Sequence, residues 1–235
     1  MSKPTIVLVH GAFADSSSWT GVVAKLQEQG YPVLAVANPL RGVESDAAYV
    51  KDVVDSVEGP VVLAGHSYGG ALITRAATET PNVRALVYIA AFQPDAGESV
   101  FELSGRYPGA KLGPETTNVL ERDGEPELSI KPGDFAEVFA ADVPAATAAI
   151  MAVTQRPVAQ QALAAPFEGT PAWSKLPSWT LVANQDNAIP AQAQEFMAER
   201  ASSTVRRIDA SHAVAVSQPE VVAEVILAAA AASVE

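Results

Sequence analysis

Three histidines, no cysteine and one serine set among glycines define the chemistry open to this chain of 235 residues. The serine is Ser67, in Gly65-His66-Ser67-Tyr68-Gly69-Gly70. The apolar, mostly β-branched run "PVVLAG" precedes it, and "ALITRAATE", with helical spacing, follows. G-x-S-x-G between a strand and a helix lifts a serine hydroxyl onto a strained turn at the end of a sheet. The following helix N-terminus aims backbone N–H groups at a place where negative charge can develop. The competing reading is a glycine-rich connection with an incidental serine, and only partner residues decide between the two.

A serine hydroxyl needs a positioned base. His66 precedes Ser67 on the strand, so its side chain is expected on the opposite side. His10 ends the first predicted strand and belongs to a turn of its own. His212, in "DASHAVAV" between the last strand and the last helix, is the candidate base. A parallel sheet gathers the loops at its strand C-termini on one edge, so His212 and Ser67 should share it. The base in turn needs an acid to hold its tautomer. Asp186, in "LVANQDNAIP", lies on the same edge, and the chain order Ser67, Asp186, His212 suits such a relay. An Asx-type turn before Pro190 is the plainer role for Asp186. Asp95, in "AAFQPDAG", is a serious rival for the acid, and Asp209 ranks third. For an oxyanion, the Tyr68 N–H directly after the serine is one donor. The turn "VHGAFAD" after the first strand offers the Ala12 N–H as the other.

These residues need a scaffold that brings distant loops together. Strand patterns at "TIVLVH", "YPVLAVAN", "PVVLAGHS", "VRALVYIAA", "SWTLVAN" and "STVRRID" alternate with helical ones, several closed by glycine. That rhythm predicts an α/β fold with a mostly parallel, doubly wound sheet of about six strands. It breaks between residues 95 and 172, a Pro-, Gly- and Ala-rich stretch with weak helical patterns at 133–141, 144–155 and 157–164. A structureless loop of that length is implausible, which predicts a helical cap insertion at 95–172 on a core of 1–94 and 173–235.

Composition narrows the partners. Net charge of −12 argues against nucleic acid or an anionic membrane. Zero cysteines exclude disulfides, thiolate nucleophiles and Cys-based metal sites. The histidine spacing does not suggest a zinc site, so no metal and no cofactor are expected. No apolar stretch reaches membrane-spanning length, and no signal peptide is evident at the N-terminus, so a cytoplasmic location is expected.

Taken together, "LVHGAF", "GHSYGG", "NQDNAIP" and "ASHAVAVSQPE" resemble the oxyanion turn, nucleophile elbow, acid loop and histidine loop of the α/β-hydrolase fold superfamily. The resemblance spans about residues 5–95 and 175–232. It implies Ser67, Asp186 and His212 as a catalytic triad and Ala12 and Tyr68 as oxyanion donors. The short HGAF-type opening is most similar to the plant methylesterase and hydroxynitrile lyase branch and its bacterial relatives. Lyases of that branch carry a threonine after the first-strand histidine and a lysine after the catalytic one; here those places hold Gly11 and Ala213. The resemblance therefore implies a bacterial serine esterase acting on small to medium carboxylic esters, as a monomer or homodimer. A small-molecule receptor on the same fold, a lactonase and a perhydrolase remain alternatives. Phe13, Phe92, Phe135, Met151 and Trp173 are candidates for an apolar substrate pocket.

Overall fold

The computed structural model describes residues 3–233. Six parallel strands form the central sheet: β1 (Thr5–Val9), β2 (Val33–Val36), β3 (Val61–Ser67), β4 (Val83–Ala91), β8 (Ser178–Ala183) and β9 (Thr204–Ile208), in the order β2-β1-β3-β4-β8-β9. The middle strands are buried on both faces, so they read as continuous apolar runs rather than alternating ones. The order reverses at β1, and the loops around that switch lie beside the C-terminal end of β3.

Helices cover both faces. On one side α1 (Thr20–Glu28), α9 (Val214–Ser217) and α10 (Pro219–Ala232) pack Leu26, Val222 and Ile226 onto Leu8, Val62 and Val87. On the other, α2 (Val43–Asp55), α3 (Tyr68–Ala76) and α8 (Ala191–Arg200) set Val50, Leu72 and Met197 against Val7, Leu63 and Leu86. Among the described residues, no helix is long and apolar enough to cross a membrane.

The segment between β4 and β8 departs from the helical expectation. It does contain the short helices α4 (Val100–Ser104), α5 (Phe135–Phe139), α6 (Ala145–Thr154) and α7 (Gln160–Ala164), the last three within the predicted windows. Yet it also holds an antiparallel sheet of β5 (Thr117–Arg122), β6 (Glu125–Ile130) and β7 (Val158–Ala159). The two-residue turn Asp123-Gly124 joins β5 to β6, with φ of 54° and 84°. Positive φ at both central residues matches the twist of a hairpin, and Asp-Gly suits it. Leu128, Ile130, Phe135, Val138 and Phe139 join the core on the α2–α3 side of the central sheet. Residues of this segment therefore share a core with the central sheet.

Candidate active site

The turn from β3 into α3 carries Ser67 at φ 53°, ψ −124°, a left-handed backbone on a residue with a side chain. Such strain costs on the order of 1–3 kcal/mol and persists only where packing imposes it. The packing is visible at Gly69. A Cβ there would lie 2.4 Å from the Val9 carbonyl oxygen, so only glycine lets α3 approach β1 this closely. The ladder to β4 also shifts register between His66 and Ser67, which turns the serine out of the sheet.

Ser67, His212 and Asp186 form one hydrogen-bonded line. His212 Nε2 is 2.8 Å from Ser67 Oγ, and His212 Nδ1 is 2.7 Å from Asp186 Oδ2. All three residues are buried. A carboxylate only accepts, so Nδ1 carries the proton and Nε2 presents its lone pair to the serine hydroxyl. Asp186 also makes the Asx-type turn that was its plainer role. Its Oδ1 accepts from the N–H groups of Ala188 and Ile189 at 2.7 and 2.8 Å, leaving Oδ2 for the imidazole. The rival acids are engaged elsewhere. Asp95 Oδ1 accepts from the Ala96 N–H, and Asp209 Oδ1 accepts from the Asn184 amide.

Three further residues support this line. Gln194, fully buried on α8, donates to Asp186 Oδ2 at 2.9 Å and to the Ile189 carbonyl, while its Oε1 accepts from the Ala183 N–H. His66 Nε2 donates to the His212 carbonyl at 2.8 Å, and its ring packs 4.7 Å from that of His212. Burial, with the neighbouring His212, holds the His66 imidazole well below the usual histidine range, so it stays neutral. Phe139, from the inserted segment, stands edge-on to the His212 ring at 4.7 Å, and its carbonyl accepts from the Ala213 N–H. A histidine before the elbow serine and a glutamine at an apolar helix position were the only hints of these supports.

The direction of the two proposed oxyanion donors follows from peptide geometry. The Ser67 carbonyl accepts from the Phe92 N–H at 3.1 Å, and the Gly11 oxygen is 2.9 Å from His10 Nδ1. A trans peptide directs its N–H opposite to its carbonyl, and no cis bond occurs among the described residues. The N–H groups of Tyr68 and Ala12 therefore point away from those held carbonyls, and both residues line the cavity that contains Ser67.

That cavity has a volume of about 500 Å³. Its lining includes Phe13 and Phe92, together with Val100, Leu128, Leu163 and Ile189. No Asp, Glu, Lys or Arg is among the lining residues. Phe135, Met151 and Trp173 do not line it. Phe135 is fully buried one layer behind, its ring 5.1 Å from that of Phe139. Met151 packs on the core from α6. The Trp173 indole donates to the Pro94 carbonyl and lies under the Arg200 guanidinium. Helical spacing identifies the apolar side of a segment, but not which layer of the core it meets. Among the described residues, no group of three or more His, Asp or Glu is arranged to hold a metal ion.

A strained serine elbow at the C-terminal edge of a parallel sheet, relayed through histidine to an acid after β8, is the arrangement of one large fold family. Residues 6–225 match it, and the chain belongs to the alpha/beta hydrolase family. It is 30% identical to an alpha/beta hydrolase, nvfD, of Aspergillus novofumigatus (strain IBT 16806), with 100% of both chains covered. A carbendazim-hydrolysing esterase of Nocardioides sp. (strain SG-4G) is 34% identical over 110 residues, 41% of this chain and 46% of the relative. The crystal structure of a methylesterase from Arabidopsis superposes with a TM-score of 0.82 at 18% identity, covering 97% of this chain and 99% of that one; the likeness is of fold.

Proposed function

We propose that the protein is a serine carboxylesterase for small to medium, uncharged esters. The observation that carries this reading is the Asp186–His212–Ser67 line, with links of 2.7 and 2.8 Å, opening on an apolar cavity. His212 takes the Ser67 proton as Oγ attacks the ester carbonyl, and Asp186 stabilises the imidazolium. The oxyanion rests on the Ala12 and Tyr68 N–H groups, where one donor is worth about 2.7–4 kcal/mol. His212 returns the proton to the leaving alkoxide, and water repeats the cycle on the acyl-enzyme. Relatives named as a hydrolase and an esterase support the class.

The test is hydrolysis of p-nitrophenyl esters together with organophosphonate labelling. Turnover and a single adduct on Ser67 are expected. Stoichiometric ligand binding with no turnover on any ester would instead favour a receptor role.

The uncharged lining predicts substrate preference. Leu128 and Leu163, from β6 and α7, line the cavity, whereas Phe135 and Met151, pocket candidates from the sequence, do not. Leu128→Ala and Leu163→Ala should shift the preferred acyl length, changing discrimination about 10- to 200-fold. The measurement is kcat/KM from acetate to octanoate esters. A uniform change across the series would mean that these residues only support the fold.

Cyanohydrin cleavage is expected to be absent. A Cβ at Gly11 would lie 2.6 Å from the Ser67 Cβ, so no hydroxyl-bearing side chain fits beside the serine without movement. Ala213 is buried and offers no ammonium. Mandelonitrile should release cyanide no faster than in buffer, and Ser67-dependent release would contradict this.

A further inference from the structure

The segment joining β2 to α2, together with the first turn of α2, touches both oxyanion turns, although no motif draws attention to it. Asn38 is fully buried, and its Nδ2 donates to the His10 carbonyl at 2.8 Å, on the peptide just before the Gly11–Ala12 unit. Its Oδ1 has no hydrogen-bond partner among the described residues. Asp46, fully buried near the start of α2, accepts the Tyr68 phenol O–H at 2.9 Å. Its carboxylate also accepts from the backbone N–H of Arg41, at 2.9 and 3.1 Å, and of Gly42 at 3.3 Å. Burial pushes the Tyr68 phenol up, assisted by the Asp46 charge, so it stays an O–H donor.

The same segment is anchored from the far side. The Arg41 guanidinium pairs with Glu127 of β6 and donates to the Pro157 carbonyl. The Leu40 carbonyl accepts from the Ala159 N–H of β7 at 2.9 Å. The segment is thus held between the inserted sheet and the two turns. One buried side chain reaches each turn.

We propose that Asn38 and Asp46 are positioning residues of the oxyanion hole, Asn38 bracing the turn that presents the Ala12 N–H and Asp46, through the Tyr68 hydroxyl, the turn that presents the Tyr68 N–H. The proposal rests on the esterase reading of Ser67. Neither residue lines the cavity that contains Ser67. Each restricts one peptide so that its N–H meets the oxyanion without reorganising as charge develops. Losing that restriction should slow the chemical step and leave ester binding as it was.

The experiment compares a p-nitrophenyl ester with its thionoester, whose C=S sulfur is larger and accepts hydrogen bonds poorly. Asn38→Leu, Asp46→Asn and Tyr68→Phe are measured against wild type on both, with circular dichroism and melting temperature as controls of folding. Expected is a fall in kcat on the oxygen ester of about 10-fold or more, with KM unchanged and a smaller fall on the thionoester, so that the oxygen-to-sulfur ratio drops. Equal losses on both substrates, or a change confined to KM, would overturn the proposal. Should Asp46→Asn not fold, Tyr68→Phe probes the same bond from its other end and decides that half alone. If wild type turns over no ester and Ser67 takes no phosphonate, the esterase reading fails, and the brace fails with it. A normal wild type with unmoved ratios in the folded variants overturns the brace alone.

Discussion

Ser67→Ala is expected to lower kcat for ester hydrolysis by about 10⁴–10⁶-fold while the protein stays folded. The size follows from what is lost. Without Oγ there is no acyl-enzyme, and the remaining acceleration comes only from the oxyanion donors and from holding the ester against them. The fold should survive because the strained backbone at residue 67 is imposed by its surroundings. Gly69 against Val9, the Phe92 N–H on the Ser67 carbonyl and the ladder to β4 are all untouched by the substitution. His212 keeps its bond to Asp186, and the cavity gains only the volume of one oxygen atom. The measurement is kcat across p-nitrophenyl esters, alongside the melting temperature and phosphonate labelling. Retention of wild-type turnover in a preparation free of contaminating esterase would remove Ser67 from the mechanism.

Ser67, His212 and Asp186 were legible because each sits in a loop whose place follows from the strand–helix rhythm, and the chain offers few alternatives. Only three histidines had to be assigned. Asp186 was harder to separate from Asp95, since both follow strands that end on the same edge. What distinguishes them is the set of donors around each carboxylate, which depends on packing. The supports of the site were illegible for the same reason. Asp46 reads as an ordinary acid in the first turn of a helix, and Asn38 as a loop residue after a strand; their partners lie 22 and 28 residues away. The β5–β6 hairpin did have a signal in Asp123-Gly124. It was masked because β5 is largely exposed, with Val119 and Leu120 both exposed although they lie on opposite faces, so neither half shows clean alternation. Phe135 failed as a pocket residue because Phe139, one turn further along α5, takes the place beside His212.

Asp186→Asn should cost about 10⁴ in kcat, whereas Asp95→Asn should leave kcat unchanged. The neighbours of Asp186 dictate how an asparagine would sit. The Ala188 and Ile189 N–H groups, at 2.7 and 2.8 Å, demand an acceptor at the Oδ1 position, so the amide oxygen must occupy it. The NH₂ group is then forced to the Oδ2 position, facing His212 Nδ1 and the Gln194 Nε2 donor. Gln194 cannot invert to relieve the clash without cost, because its Oε1 accepts from the Ala183 N–H and its Nε2 also donates to the Ile189 carbonyl. A donor facing Nδ1 selects the tautomer with its proton on Nε2, which cannot take the serine proton. Asp95 is in a different position. Its Oδ1 accepts only the neighbouring Ala96 N–H, a bond that an asparagine oxygen reproduces. Combining Asp186→Asn with Ser67→Ala should add little to the loss from Ser67→Ala alone, since groups acting as one unit are non-additive. The measurement is kcat for wild type and the four variants on one ester. A crippled Asp95→Asn beside an active Asp186→Asn would move the acid to the loop after β4 and break the assigned line.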